Sequence, residues 1–221
     1  MKYYPVFLRV ADRPCVVIGG GKVAEQKVQS LLHAGAAVTV ISPSLTPTLS
    51  RLVAEGRVAH QRRGYQSGDL HGAFVACAAT ADATVQHQVA TDARSAGVLL
   101  NVVDRPHLCD FIMPAVVERG DLVIATSTGG ASPALARRIR QELEDTFGPE
   151  YAFVVQLLRR LRDQLAQRSY SSVERQRVFS ELVHSPLLEY VRQRQATAVD
   201  RLLATTIDDS ISLAALGLEL S

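Results

Sequence analysis

Gly19, Gly20 and Gly21 close a short apolar run, Cys15 to Ile18, and a helix-compatible segment opens directly after them. Gly19, Gly21 and Ala24 fit the spacing G-x-G-x-x-G/A. In that pattern the first glycine permits a tight turn and the second lets the backbone approach a pyrophosphate. The small third residue lets helix pack closely on strand. A helix that starts here presents free N–H groups and a partial positive charge to phosphate. The chemistry this loop supports is therefore the holding of a dinucleotide. A glycine turn that binds nothing has the same composition. The difference is context, because this loop lies between a strand and a helix. Asp104 is the second candidate. It follows the apolar run 98–103, and open α/β sheets place ligands at the carboxyl ends of their strands. Its competing reading is a turn aspartate that caps the bend at Arg105 and Pro106. His107, Cys109 and Asp110 lie just beyond, too loosely spaced for a closed metal site.

The elements that must position these residues are legible as alternating patterns. Apolar, β-branched runs predict strands over 16–18, 37–41, 57–61, 73–79 and 98–103. Helices are predicted over 22–34, 44–55 and 82–95, stopped by Gly35, Gly56 and Gly97, with Thr80 or Asp82 as the cap of the third. Strand–helix alternation with apolar strands indicates a parallel sheet covered on both faces. Residues 1–112 thus read as one Rossmann-like, doubly wound α/β domain. The pattern then changes. Runs 112–117 and 122–126 are joined by Glu118, Arg119, Gly120 and Asp121, which suggests an antiparallel hairpin. Ser132 is a good N-cap and Pro133 a good first residue for a helix over 134–147. From 149 to about 204 the chain reads as helical, with breaks near 169–172 and 185–186 and a leucine stripe at 157, 158, 161 and 165. Residues 206–221 read either as a short final helix or as a frayed end.

Composition narrows the partners. The chain has 221 residues, 47% hydrophobic and 21% charged, with a net charge of +2. That balance gives no field favouring nucleic acid, and no nucleic-acid partner is expected. The three cysteines are widely spaced and form no CxxC pair, which suggests reduced core residues and a cytoplasmic setting. The N-terminus lacks a secretory signal pattern and no apolar run approaches 18 residues, so no membrane association is expected.

Taken in order, further motifs carry a resemblance. Pro5, Val6, Phe7 and Leu8, then Asp12 and Arg13, precede the glycine loop. Asn101, Val102, Val103 and Asp104 are followed by Phe111, Ile112, Met113, Pro114 and Ala115. Then comes the run from Ser127, Thr128, Gly129 and Gly130 to Pro133. In this order the chain resembles the precorrin-2 dehydrogenase/sirohydrochlorin ferrochelatase family, whose unit also forms the N-terminal part of sirohaem synthase. The match spans roughly residues 3–205, and nothing resembles the methyltransferase half of the fused enzyme. The resemblance implies NAD-dependent oxidation of precorrin-2 to sirohydrochlorin and, in many members, insertion of ferrous iron to give sirohaem. It also implies a homodimer built through the hairpin and helical region. The expected division is a 1–112 NAD-binding domain, a 113–148 dimerisation region and a 149–221 helical domain.

The same resemblance implies roles for individual residues. Asp104 matches an aspartate implicated in both reactions, where one carboxylate could accept the protons released by oxidation and by chelation. Gly19, Gly20, Gly21, Lys22 and Val23 match positions that contact NAD, mainly through backbone N–H groups. Pro43 and Ser44 match a second NAD contact. Asn101 is expected to orient Asp104 or the nicotinamide amide, or simply to end its strand. Ser127 and Thr128 are candidates for binding a substrate carboxylate, with a plain turn leading into the helix as the alternative. Arg137, with Arg138 and Arg140, could line a site for the many carboxylates of a tetrapyrrole. One departure concerns the ribose. The general fingerprint expects an Asp or Glu about 20 residues beyond the glycines, and here Ile41, Ser42, Pro43 and Ser44 stand instead. On this reading no carboxylate repels a 2′-phosphate, and only the resemblance favours NAD over NADP.

Three other readings stand beside the leading one. The protein could be a dehydrogenase only, with another protein inserting the metal; Asp104 does not separate these two. It could be a nucleotide-sensing regulatory module, although such modules usually close the second strand with an acidic residue. It could be a dimerisation scaffold with a decayed site, against which intact Gly19, Gly21 and Asp104 speak.

Overall fold

In the computed structural model, which describes residues 2–220, the chain divides into two compact units, Met1–Met113 and Pro114–Ser221. The first holds a parallel sheet in the order β3-β2-β1-β4-β5, made of β1 (Pro14–Ile18), β2 (Ala37–Ile41), β3 (Ala59–Gln61), β4 (Val75–Ala78) and β5 (Leu99–Val102). Three helices connect them: α1 (Lys22–His33), α2 (Pro47–Ala54) and α3 (Ala83–Ala96). Val16 pairs with Thr39 on one side and Ala76 on the other, so β1 is the central strand. Successive strand residues feed opposite faces. Cys15, Val17, Val38, Val40, Val75 and Cys77 pack with Ala24, Val28, Leu49 and Leu52 of α1 and α2. Val16, Ile18, Ala76, Ala78, Leu100 and Val102 pack with Val89, Ala90 and Ala93 of α3. Burial on both faces explains why the strands read as continuous apolar runs.

The chain passes from β1 outward to β2 and β3, then returns to place β4 on the other side of β1. The strand order reverses there, and open α/β sheets bind ligands outside the carboxyl ends of the strands at such a point. The helix boundaries follow their caps. Asp82 accepts the N–H groups of Thr84 and Val85 at the start of α3, and Gly97 ends it at φ +68°. The second helix begins at Pro47 and not at Ser44, because Thr46 is its cap and accepts the Leu49 N–H.

The second unit opens with an antiparallel hairpin, β6 (Ala115–Arg119) and β7 (Leu122–Thr126). Its first strand starts three residues later than the sequence suggests. Pro114 has no N–H to offer a ladder, and the register Ala115↔Thr126 to Arg119↔Leu122 leaves only Gly120 and Asp121 in the turn. Gly120 adopts φ +58°, as a two-residue hairpin turn requires. Arg119 donates to the Phe147 and Glu144 carbonyls (2.8 and 3.1 Å) at the C-terminal end of α4 (Pro133–Thr146).

Helices α5 (Glu150–Ala166), α6 (Ser172–His184), α7 (Leu187–Arg192) and α8 (Ala196–Thr206) follow. Leu157, Leu161 and Leu165 share one core with Val178, Leu182, Leu187, Val199 and Leu203. The break at residues 193–195 was not legible. There Arg194 takes φ +55°, and Gln195 donates back to the Tyr190 carbonyl, a helix ending that glycine normally marks. The final segment neither continues as a regular helix nor frays. Ile211, Leu213 and Leu216 are buried in the helical core, and the Leu213 N–H is bound by Asp200. Residue 221 lies outside the described residues.

Candidate active site at the carboxyl edge of the parallel sheet

The glycine loop leaves β1 in close contact with both neighbouring strand ends. At Gly19, with φ +118°, a Cβ would stand 2.4 Å from the Ala79 carbonyl oxygen at the end of β4. At Gly20 it would stand 1.9 Å from the Ser44 carbonyl oxygen, on the β2 side. Both positions therefore exclude any side chain. Gly21 differs: a Cβ there would meet nothing within 4 Å. Gly21 is the N-cap of α1 and provides no side-chain cap, and the first helical hydrogen bond is Glu25 N–H to the Gly21 carbonyl. The N–H groups of Lys22, Val23 and Ala24 thus precede the ladder at an open helix start, with the positive end of the helix dipole behind them. Ala24 is fully buried, which seats α1 on the sheet. This cradle fits a dinucleotide pyrophosphate.

The loop after β2 is stitched to the glycines. The Thr46 N–H donates to the Gly20 carbonyl at 3.0 Å, and Ser42 Oγ donates to the Ser44 carbonyl at 2.7 Å. Pro43 and Ser44 are exposed beside this seam. Here the structure corrects the sequence reading that no carboxylate lies in this region. Glu25, on the first turn of α1 and only 8% exposed, accepts a hydrogen bond from Thr46 Oγ1 at 2.5 Å. Lys22 Nζ approaches the same carboxylate at 3.3 Å. The Thr46 hydroxyl, aided by Lys22, holds the Glu25 carboxyl below the usual range. From sequence alone Glu25 reads as an ordinary acid near a helix start; only its burial marks it.

Asp104 lies on the same carboxyl edge, just past β5. The Val103 N–H still pairs with the Ala78 carbonyl at 3.0 Å, and the next residue is Asp104 at φ +58°. It is exposed, and among the described residues no hydrogen bond or ion pair engages its carboxylate. No N–H of the following bend bonds to it, so it is not the turn cap that the competing reading required. A non-glycine residue in the left-handed region is uncommon and is most readily borne by Asp or Asn.

Asn101 is placed differently from its expected role. It is buried, and its Nδ2 donates to the Phe111 carbonyl at 3.0 Å; it is not bonded to Asp104. It pins the loop that follows Asp104. Two residues that the sequence did not single out as positioning groups share that work. Cys109 Sγ accepts the Val102 N–H and donates to the Val102 carbonyl, while Asp110 both donates to the Leu100 carbonyl and accepts the Leu100 N–H. These bonds occupy the open edge of β5. Buried Gln86 of α3 adds a bridge, donating to the Thr80 carbonyl at 2.8 Å and toward the Val103 carbonyl at 3.5 Å. Asp104 thus stands on a braced support.

In the second unit the Ser127–Ser132 turn is closed on itself. Thr128 Oγ1 accepts the Ser132 N–H at 3.0 Å and donates to the Ser132 carbonyl at 3.1 Å. Ser127 Oγ accepts the Gly129 N–H, and Ser132 Oγ caps α4 at the Leu135 N–H. The Thr128 hydroxyl serves the turn leading into the helix, the alternative named above. Arg138 and Arg140 pair with Glu142 and Glu144 along α4. Arg137 is exposed and makes no ion pair among the described residues.

Comparison with known proteins gives this geometry a context. Residues 6–115 match the family described as "Putative NAD(P)-binding", and residues 119–146 the family described as "Sirohaem biosynthesis protein central". The sirohaem synthase of Methylobacillus flagellatus is 41% identical over 181 residues, 82% of this chain and 38% of that protein. The sirohaem synthase of Methylococcus capsulatus is 38% identical over 208 residues, 94% of this chain and 44% of that protein. The chain thus spans less than half the length of these relatives. Among solved structures, SirC, described as a precorrin-2 dehydrogenase, superposes with a TM-score of 0.75 at 26% identity, covering 92% of this chain and 98% of that one. An NAD(P)-binding region followed by a sirohaem-biosynthesis central region is the order found in this chain, and with these relatives the chain belongs to the precorrin-2 dehydrogenase/sirohydrochlorin ferrochelatase family.

Proposed function

We propose that this protein oxidises precorrin-2 to sirohydrochlorin with NAD in sirohaem biosynthesis. One observation carries the reading: an exposed, unpaired carboxylate at Asp104, in left-handed backbone, on the same carboxyl edge as an uncapped glycine-loop helix. The relatives named for sirohaem synthesis and the precorrin-2 dehydrogenase neighbour support it. When bound, the nicotinamide supplies a hydride acceptor. The chain's own groups do the rest. The N–H groups of Lys22, Val23 and Ala24 hold the pyrophosphate, and Gly19 and Gly20 let the backbone come close enough to do so. Pro43 and Ser44 flank the adenosine half. Asp104 accepts the proton that leaves the macrocycle as the hydride departs, so each turnover yields sirohydrochlorin, NADH and one proton. Asn101, Cys109 and Asp110 hold the loop that carries it.

Arg137, exposed and without an ion pair among the described residues, is available to a carboxylate of the substrate. The protein works as a homodimer through the hairpin, one face of which carries Val116 and Val123, 40% and 38% exposed. No helix among the described residues is long and apolar enough to cross a membrane. Three free thiols, two of them buried, favour a reducing, cytoplasmic setting. Ferrous iron is the second substrate on the reading that Asp104 also takes pyrrole protons.

Purified protein given precorrin-2 and NAD without oxygen is expected to produce NADH and the sirohydrochlorin spectrum. Failure to form NADH above a no-enzyme control overturns the dehydrogenase reading. Ferrous iron added next tests chelation separately, against spontaneous insertion in the control.

A further inference from the structure

The dinucleotide reading leaves one buried charge without a task. Glu25 is 8% exposed, and its side chain is turned toward the loop after β2. An acid in a helix's first turn needs no burial to favour the dipole, since an exposed one does the same. Thr46 Oγ1 donates to Glu25 Oε2, and the Thr46 N–H in turn holds the Gly20 carbonyl, beside which the Ser44 carbonyl lies. The carboxylate therefore sits where the loop after β2 meets the glycine loop. In doubly wound folds this is the adenosine side of the dinucleotide, where an acid at the end of β2 usually meets the ribose 2′-hydroxyl. Here β2 ends in Ile41 and is followed by Ser42, and neither carries a charge.

Resting on the dinucleotide reading above, we propose that Glu25, delivered from α1 and not from the end of β2, selects a dinucleotide with a free ribose 2′-hydroxyl and rejects one with a 2′-phosphate. A fixed carboxylate in this seam meets a 2′-phosphate as like charge at short range, in surroundings less polar than water. Lys22 Nζ pairs with the same carboxylate at 3.3 Å, but its side chain is 77% exposed, where water weakens such a pair, whereas Glu25 is held by Thr46. Thr46 acts as the positioning residue.

Calorimetric titration of the full chain with NAD+ and with NADP+ tests this without reference to turnover. The unaltered protein is expected to bind NAD+ more tightly than NADP+. Glu25→Gln keeps an acceptor for Thr46 and removes the charge, so the affinity ratio should move toward NADP+ by about tenfold or more. A ratio within twofold of the starting protein overturns the proposal, as does an unaltered protein that binds NADP+ as tightly as NAD+. Should Glu25→Gln not fold, the unaltered protein still decides. Repulsion by a fixed carboxylate cannot strengthen as salt rises, so a preference for NAD+ that holds or shrinks with salt supports the proposal and one that grows overturns it. A protein that binds neither nucleotide overturns the dinucleotide reading itself, a result distinct from the others.

Discussion

Two glycine loops in this chain each lead into a helix, and they are built for opposite ends. The first, Gly19–Gly21, runs into α1 with no side-chain cap, so the helix start faces outward with its N–H groups available. The second, Gly129 and Gly130, runs into α4, where Ser132 caps the helix and Thr128 binds both backbone groups of Ser132. Crowding differs too. A Cβ at Gly19 or Gly20 would collide with a carbonyl, whereas at Gly129 or Gly130 it would meet nothing, and only positive φ values of +63° and +89° call for glycine. Similar composition thus conceals different physics. The first loop is glycine because backbone segments touch there, and it leaves hydrogen-bond donors to a ligand. The second is glycine because a turn must reverse, and its hydrogen bonds are satisfied internally.

The largest expected effect tests whether the first loop serves Asp104. Asp104→Ala should lower turnover of precorrin-2 by about 10²- to 10⁴-fold, while NAD+ affinity and the unfolding temperature stay unchanged. Undiminished NADH formation would sever the carboxylate from the chemistry.

Next in size is the crowding itself. Gly20→Ala must displace the Ser44 carbonyl and should cost about 1–3 kcal/mol in denaturant unfolding, together with measurable NAD+ binding. Gly130→Ala carries only the left-handed penalty of about 1–2 kcal/mol and should leave NAD+ affinity intact. Equal effects on NAD+ binding would erase the distinction between the loops.

Gly21→Ser makes the first loop imitate the second. Its φ of −85° suits any residue and its Cβ position is open. A serine cap should stabilise α1 by up to about 1 kcal/mol and weaken NAD+ binding, read by thermal unfolding and calorimetry. Tighter binding would show that the helix start is not the anion site.

The smallest effect is in acid. Glu25 is held below its ordinary value of 4.5, chiefly by the Thr46 hydroxyl. Its contribution to stability is therefore complete above about 4.5 and is lost as pH falls through the lowered value. The first turn of α4 holds no acid. Below pH 4.5 the Thr46 amide should lose hydrogen-exchange protection before the Ser132 amide does. The reverse order would remove Glu25 from the seam.

Much of this architecture was legible before any coordinates. The five-strand alternation, the Asp82 cap, the Gly97 stop and the second hairpin strand, residues 122–126, follow from local pattern. Apolar period and capping chemistry act over a few residues. The start of β6 was misplaced because a hairpin's register is decided by pairing across the turn, which no single strand contains. The break at Arg194 was missed because its left-handed residue is not glycine.

For function, the residues themselves determined that a dinucleotide cradle opens between a strand and a helix, because three glycines and a small alanine at that spacing have few other uses there. Tertiary structure decided which neighbours those glycines touch, that Asn101 braces a loop and leaves Asp104 unbonded, and that a carboxylate reaches the seam beside Thr46. Glu25 and Thr46 are 21 residues apart, and Asn101 lies beside Cys77 only because β4 and β5 pair in space. Contacts of that kind exist only once the sheet has brought separate strand ends together, and so no local reading of the chain contains them.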